Sequence, residues 1–158
     1  MDPRQLQTLI GNSLASVGFK GRASTWYRDV EGGLQVFDLQ RSIYGPQYYV
    51  NLCCVPAGME VDGMPRPKEY KCPIRARLGK VCPELGKDVD MLLDLGNAIE
   101  EESREARLTA MIKNNVIPFF ERIRTPDALR LAVAGRMKGL AVTLAAYKYL
   151  GITPDFGR

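Results

Sequence analysis

The distribution of apolar residues predicts a single α+β domain over residues 1–158, an antiparallel four-stranded meander sheet packed by an N-terminal helix and C-terminal helices. Three observations carry this expectation. Apolar residues recur every three or four positions at both ends of the chain, the period is two in the middle, and 158 residues is the length of one core rather than two.

At the start, Leu6, Leu9, Ile10, Leu14 and Val17 form one apolar stripe, which predicts a helix over residues 3–17 with Gly18 as its stop. STWYRDV, LQVFDLQRS and QYYVNLCCV are rich in aromatic and branched residues. Glu31-Gly32-Gly33 and Tyr44-Gly45-Pro46 separate them, so they predict three strands joined by tight turns. From Pro56 to Lys71, three prolines (Pro56, Pro65, Pro67) with Gly58 and Gly63 oppose both helix and central strand, and a long exposed loop is expected. CPIRARL alternates Ile74, Ala76 and Leu78 against Arg75 and Arg77, which predicts the fourth strand. Residues 84–95 are irregular and predict no element.

The last third is helical. Leu108, Ile112, Val116, Phe119 and Ile123 stripe a helix whose start carries Glu100, Glu101, Glu102 and Glu105, a favourable place for acids, and Pro118 must kink or divide it. Thr125-Pro126-Asp127 combines an N-cap, a first-turn proline and an acid, so another helix begins there, with Leu129 and Val133 on its apolar side and Gly135 at its end. Leu140, Leu144 and Tyr147 predict a final helix from Lys138 to Leu150, before Gly151.

Composition excludes several chemistries. There is no histidine, so no mechanism can use imidazole as base, proton shuttle or metal ligand. Lys plus Arg number 22 against 18 Asp plus Glu, and a net charge of +4 falls short of a nucleic-acid-binding stripe. Polar residues near the start interrupt any signal sequence and no apolar run is long enough to span a membrane, so a cytoplasmic protein is expected. The four cysteines, at 53, 54, 72 and 82, lack the spacing of zinc ligands. Cys53 and Cys54 point to opposite faces of one strand, so buried structural thiols are expected, with no metal and no cofactor.

Pairing the strands sorts their residues into two sets. A two-residue turn at Gly32-Gly33 puts Tyr27 opposite Asp38, and the turn around Tyr44 to Pro46 puts Asp38 opposite Asn51. One face then holds Trp26, Phe37, Leu39, Tyr48, Val50, Leu52 and Cys54, the expected core. The other holds Tyr27, Asp38, Gln40, Tyr49, Asn51 and Cys53, joined by Arg75 and Arg77 from the fourth strand. An acid, amides, phenols and guanidinium groups thus converge on one side, either as a solvated polar face with Asp38 neutralised by an arginine or as a recognition surface.

GFKGRASTWYRDVEGGLQVFDLQRSIYGPQYYVNLCCV, then YKCPIRARLG and NNVIPFFERIRT, resembles the bacterial family called domain of unknown function 4304. The ordered series Phe19-Lys20, Trp26-Tyr27-Arg28, Gln35-Val36, Leu39-Gln40, Val50-Asn51-Leu52 and Ile74-Arg75 carries the resemblance over most of the chain. It implies an α+β fold and brings no catalytic residue, cofactor or substrate with it; small families of this kind suggest accessory or toxin-neutralising (immunity-type) proteins. The expected function is therefore a non-enzymatic module that recognises a protein partner through Tyr27, Asp38, Gln40, Tyr49, Asn51, Arg75 and Arg77. Two alternatives stand beside it. One is an enzyme using Asp38 as base and Arg75 as anion clamp; the other is a weak binder of single-stranded nucleic acid that stacks bases on tyrosine.

Overall fold

Asp2 begins the first helix, α1 (Pro3–Ala15), with a reciprocal capping box: its side chain accepts the Gln5 amide, and Gln5 Oε1 accepts the Asp2 amide. In this computed structural model, which describes residues 1–154, Leu6, Ile10 and Leu14 of α1 are buried as their spacing predicts. The sheet follows in β1 (Lys20–Arg22), β2 (Thr25–Val30), β3 (Gly33–Arg41), β4 (Tyr48–Pro56) and β5 (Ile74–Arg77). Short helices α2 (Leu78–Val81) and α3 (Asp88–Leu93) lead to α4 (Glu101–Met111), a π-helical turn (Ile112–Val116), α5 (Ile117–Arg122) and α6 (Pro126–Ala134). The described chain closes with β6 (Leu140–Val142) and α7 (Leu144–Leu150). Among these elements no helix is long and apolar enough to cross a membrane.

The α+β class and the antiparallel meander stand, but the sheet has six strands among the described residues rather than four, in the order β1-β2-β3-β4-β5-β6. Both additions are three-residue edge strands without an alternating apolar signal. β1 joins β2 through a turn in which Ala23 takes a positive φ of 61°, a conformation more often announced by glycine or asparagine. β6 lies where a continuous helix was expected. Gly139, at φ 84°, breaks the helical path, and Thr143 then caps α7 by accepting the Ala146 amide, so the spacing of Leu140, Leu144 and Tyr147 crosses two elements.

Trp26, Phe37, Leu39, Tyr48, Val50, Leu52 and Cys54 form one buried sheet face with Leu6, Ile10 and Leu14 of α1 and with Leu108, Ile112, Val116 and Phe120. This is the predicted core. At Pro118 the expected helix is divided, a π-helical turn separating α4 from α5: a proline ring clashes with the carbonyl four residues back and the wider turn ahead of it relieves the ladder, so that the Ile117 amide reaches the Ile112 carbonyl, five residues away. Two buried arginines organise what the apolar pattern does not. Arg104 donates to the carbonyls of Leu92, Asp94 and Asn97, which orders the irregular stretch after α3. Arg28 donates to Gln35 Oε1 and to the Val17 carbonyl, pairs with Glu121 at 3.0 Å, and lies over the Phe19 ring, while Gln35 donates to the Phe120 carbonyl.

Leu52 is fully buried at the centre of this core, so Leu52→Ala should cost about 2 to 5 kcal/mol through lost burial and a residual cavity. An unchanged urea midpoint would contradict its place there. Glu121 supplies a second test. Partial burial pushes its carboxyl upward, but hydrogen bonds from Arg28 and Arg124 and their charges outweigh this and hold it below the ordinary carboxylate value. The folded state then binds fewer protons than the unfolded chain in that acid range. The pair's stabilisation is complete above the unfolded carboxylate value, about 4.3, and is lost as pH falls through the lowered folded one. Glu121→Gln should lower the urea midpoint at pH 7 and shrink its drop between pH 7 and pH 3; parallel pH profiles for the two proteins would refute this role.

Candidate functional site

The outer face of the sheet is built in rows by cross-strand register. β3 and β4 pair over nine positions, including Asp38 with Asn51 as predicted. β2 pairs with β3 through Thr25–Asp38 and Tyr27–Val36, so Tyr27 does not face Asp38. The cause lies in the turn. Its two free residues are Glu31 and Gly32, while Gly33 already pairs with Val30 at φ 140°, where an added Cβ would meet the Val55 carbonyl at 2.0 Å. Moving the turn by one residue shifts each partner by two, which preserves the division into faces while changing the neighbours within a face.

One row consequently runs Arg22, Thr25, Asp38, Asn51, Arg77, and the next runs Lys20, Tyr27, Val36, Cys53, Arg75. Gln40 and Tyr49 pair on the hairpin side of the first row. These rows have different fates. The second, with Leu34 and Val55 beyond it, is covered by the proline-rich segment expected to be exposed: Leu34, Val36, Cys53, Val55 and Cys72 form a second apolar cluster, against which Met59, Val61 and Tyr27 pack. Latches hold this cover in place. The Tyr27 hydroxyl donates to the Pro67 carbonyl, Arg66 pairs with Asp29 at 2.8 Å while lying over the Tyr27 ring, and Tyr149 donates to the Ala57 carbonyl. A sequence signal for the cover exists in Leu34, Val36 and Val55, which alternate onto the face opposite the main core and need burial of their own.

The first row stays open at its β5 end and forms one hydrogen-bonded network. Asp38 accepts the Thr25 hydroxyl at 2.9 Å and the Asn51 amide at 3.3 Å. Asn51 also donates to Gln40 Oε1 at 3.0 Å. Arg77 donates through Nε to Asn51 Oδ1 and through one terminal nitrogen to Gln40 Oε1, and its guanidinium lies 4.5 Å from the centre of the Tyr49 ring. Five of the seven candidate residues therefore come together: Asp38, Gln40, Tyr49, Asn51 and Arg77. Tyr27 and Arg75 do not join them. Arg75 is engaged at 2.7 Å by Glu69 at the end of the cover, and burial among Cys72, Asp38 and neighbouring groups raises the Tyr27 phenol above its ordinary value.

Among the described residues no arginine pairs with Asp38, which is held by neutral donors, and the separate rows part Asp38 from Arg75. Arg22 and Lys20 are members of the face that the sequence did not disclose, because their position depends on the edge strand β1, and Thr25 joins it through its pairing with Asp38. Among the described residues no group of three or more Cys, Asp or Glu side chains is placed to hold a metal ion. All four cysteines are buried and free, with Cys54 in the main core and Cys53 in the covered cluster. Hydrogen bonding with Cys72 and burial push the Cys53 thiol up, and burial raises Cys54 to about 12. Both should resist iodoacetamide at pH 8 in the folded protein and react at once in urea. Rapid native alkylation of Cys53 would show that the cover is open.

The sequence matches the family described as Domain of unknown function (DUF4304) over residues 10–122. No curated protein and no solved structure matches the chain. The family match spans β1 to β5 and all five residues of the open network, and the chain belongs to the domain of unknown function 4304 family.

Proposed function

We propose that this protein is a non-enzymatic binding module of the accessory or toxin-neutralising (immunity) kind, which recognises a protein partner through the open half of its outer sheet face. The observation that carries this is the state of Arg77. It is exposed, makes no ion pair among the described residues, and is nevertheless fixed by Asn51, Gln40 and the Tyr49 ring. A flexible cation ordered before contact loses little entropy on binding, and arginine beside tyrosine is the residue pairing that dominates many protein interfaces. Its second terminal nitrogen has no hydrogen-bond partner among the described residues and can meet a carboxylate. Lys20 and Arg22 add positive charge on the β1 side of the same face.

Stacking of nucleic-acid bases is less well served. The Tyr49 ring already carries Arg77 and the Tyr27 ring carries Arg66, so neither offers a bare platform on that side.

The two arginines of β5 separate recognition from packing. Arg77→Gln should lower affinity for the partner at least tenfold while leaving the urea-unfolding free energy within about 1 kcal/mol of the parent. Arg75→Gln should leave affinity unchanged, because Arg75 serves the cover. Titration of the isolated partner against each variant reads this directly, and equal affinity for wild type and Arg77→Gln would reject the proposed surface.

A further inference from the structure

The turn between β3 and β4 carries the two most exposed large apolar side chains among the described residues, Ile43 at 87% and Tyr44 at 92%. Nothing in the fold needs them there. The turn is held firmly from below: the Ser42 amide donates to the Gln47 carbonyl, the Tyr44 amide to the Ser42 hydroxyl, the Leu95 amide to the Pro46 carbonyl, and the Gln47 side chain to the Asp90 carbonyl. A backbone bridge joins Gln47 to Asp94 as well. The tip is thus braced against α3 and the segment behind it, with its apolar side chains in water. It lies about 10 Å along the hairpin from Gln40, at a strand rise of about 3.3 Å per residue, and continues the surface that holds Gln40, Tyr49 and Arg77.

We infer that Ile43 and Tyr44 are the hydrophobic anchor of the interface, and that they enter an apolar pocket on a protein partner whose rim carries carboxylates. This inference rests on the binding role proposed above and specifies the partner's chemistry. Two features argue for that occupant. A rigid turn that displays an aliphatic and an aromatic side chain has the form of an interface hot spot, in which large side chains fill a desolvated pocket without an ordering cost. Two exposed cations near it make no ion pair among the described residues: Arg41 stands at the base of the turn on the strand face of Leu39 and Tyr48, and Arg77 bonds Gln40 on the outer face. Acids lie on the α3 side of the turn: Asp90, whose carbonyl accepts the Gln47 side chain, and Asp94, whose backbone bridges Gln47. On the β5 side of the turn, where Arg77 is the exposed charge, a carboxylate on the pocket rim is attracted and a basic group is repelled.

Photoreactive benzoylphenylalanine in place of Tyr44 tests this inside the cell of origin, with the same probe in place of Tyr70, which is exposed in the 3-10 turn at the end of the cover, as the control. The partner identified from the crosslink is then purified and titrated against wild type, Ile43→Ser/Tyr44→Ser, Ile43→Ser alone and Arg77→Gln, each checked for an unchanged urea midpoint. Expected are crosslinks from position 44 and not 70, to a partner segment that combines apolar residues with Asp or Glu. Loss of at least tenfold in affinity for the double variant, and weaker binding at 300 mM than at 50 mM salt, should accompany them. The inference is overturned by equal or absent crosslinking at position 44, by crosslinks to nucleic acid, or by a folded Ile43→Ser/Tyr44→Ser variant with full affinity. If that variant binds fully while Arg77→Gln does not, the anchor falls and the sheet-face function stands; if both bind fully, the function falls with it.

Discussion

The nine-pair ladder between β3 and β4 is the constraint on which the rest of the molecule depends. It sets Phe37 against Leu52 and Leu39 against Val50 on one side, where the helices close the main core, and Asp38 against Asn51 and Gln40 against Tyr49 on the other. A slip of one residue between the two strands would mix the sets, bringing Asp38 and Gln40 onto the face of Val50 and Leu52 and turning Phe37 and Leu39 outward. Because two apolar clusters and a polar network all depend on the same register, each reinforces it.

Both faces of this ladder are used, though unequally. Behind it lies the main core, sealed at one end by Arg28 with Gln35 and Glu121 rather than by apolar packing alone. In front, the apolar rows near Leu34 and Val55 need a cover, and the proline-rich segment from β4 to β5 provides one with a single 3-10 turn at Glu69–Lys71 as its regular structure, tied down by side chains of β2 and α7. The cover stops short of the Asp38 row. Where it ends, polar side chains satisfy one another across three strands, so the open half remains ordered while facing water. The division between covered and open halves follows from which outward positions of β3 and β4 are apolar.

Alternation in β2 to β5 and the helical stripe of α1 were legible in the sequence because side chains there answer to one local period. So was the assignment of each strand residue to its face, since the shifted β2 turn moved partners by an even number. The neighbours of Tyr27 were not legible: that pairing hangs on whether the turn holds Gly32 and Gly33 or Glu31 and Gly32, and both sequences suit a tight turn. The edge strands β1 and β6 escaped because three-residue strands draw their pairing from a neighbour. Arg104 and Arg28 could not be foreseen as buried, because their partners are backbone carbonyls and side chains far along the chain. Of the candidate site, the five residues of the open network followed from face and alternation, whereas the capture of Arg75 by Glu69 and of Tyr27 beneath Arg66 depends on a loop whose path no periodicity describes.

The central claim is that contact with a partner falls on the open half of the outer face and not on its cover. Amide hydrogen exchange of the free and partner-bound protein measures this most directly, since it reports protection along the whole backbone at once. The account predicts added protection on binding across residues 38–51 and 74–80, with residues 57–71 and the helices α1 and α4 unchanged. Protection concentrated in residues 57–71, with the β3–β4 hairpin unaffected, would contradict it.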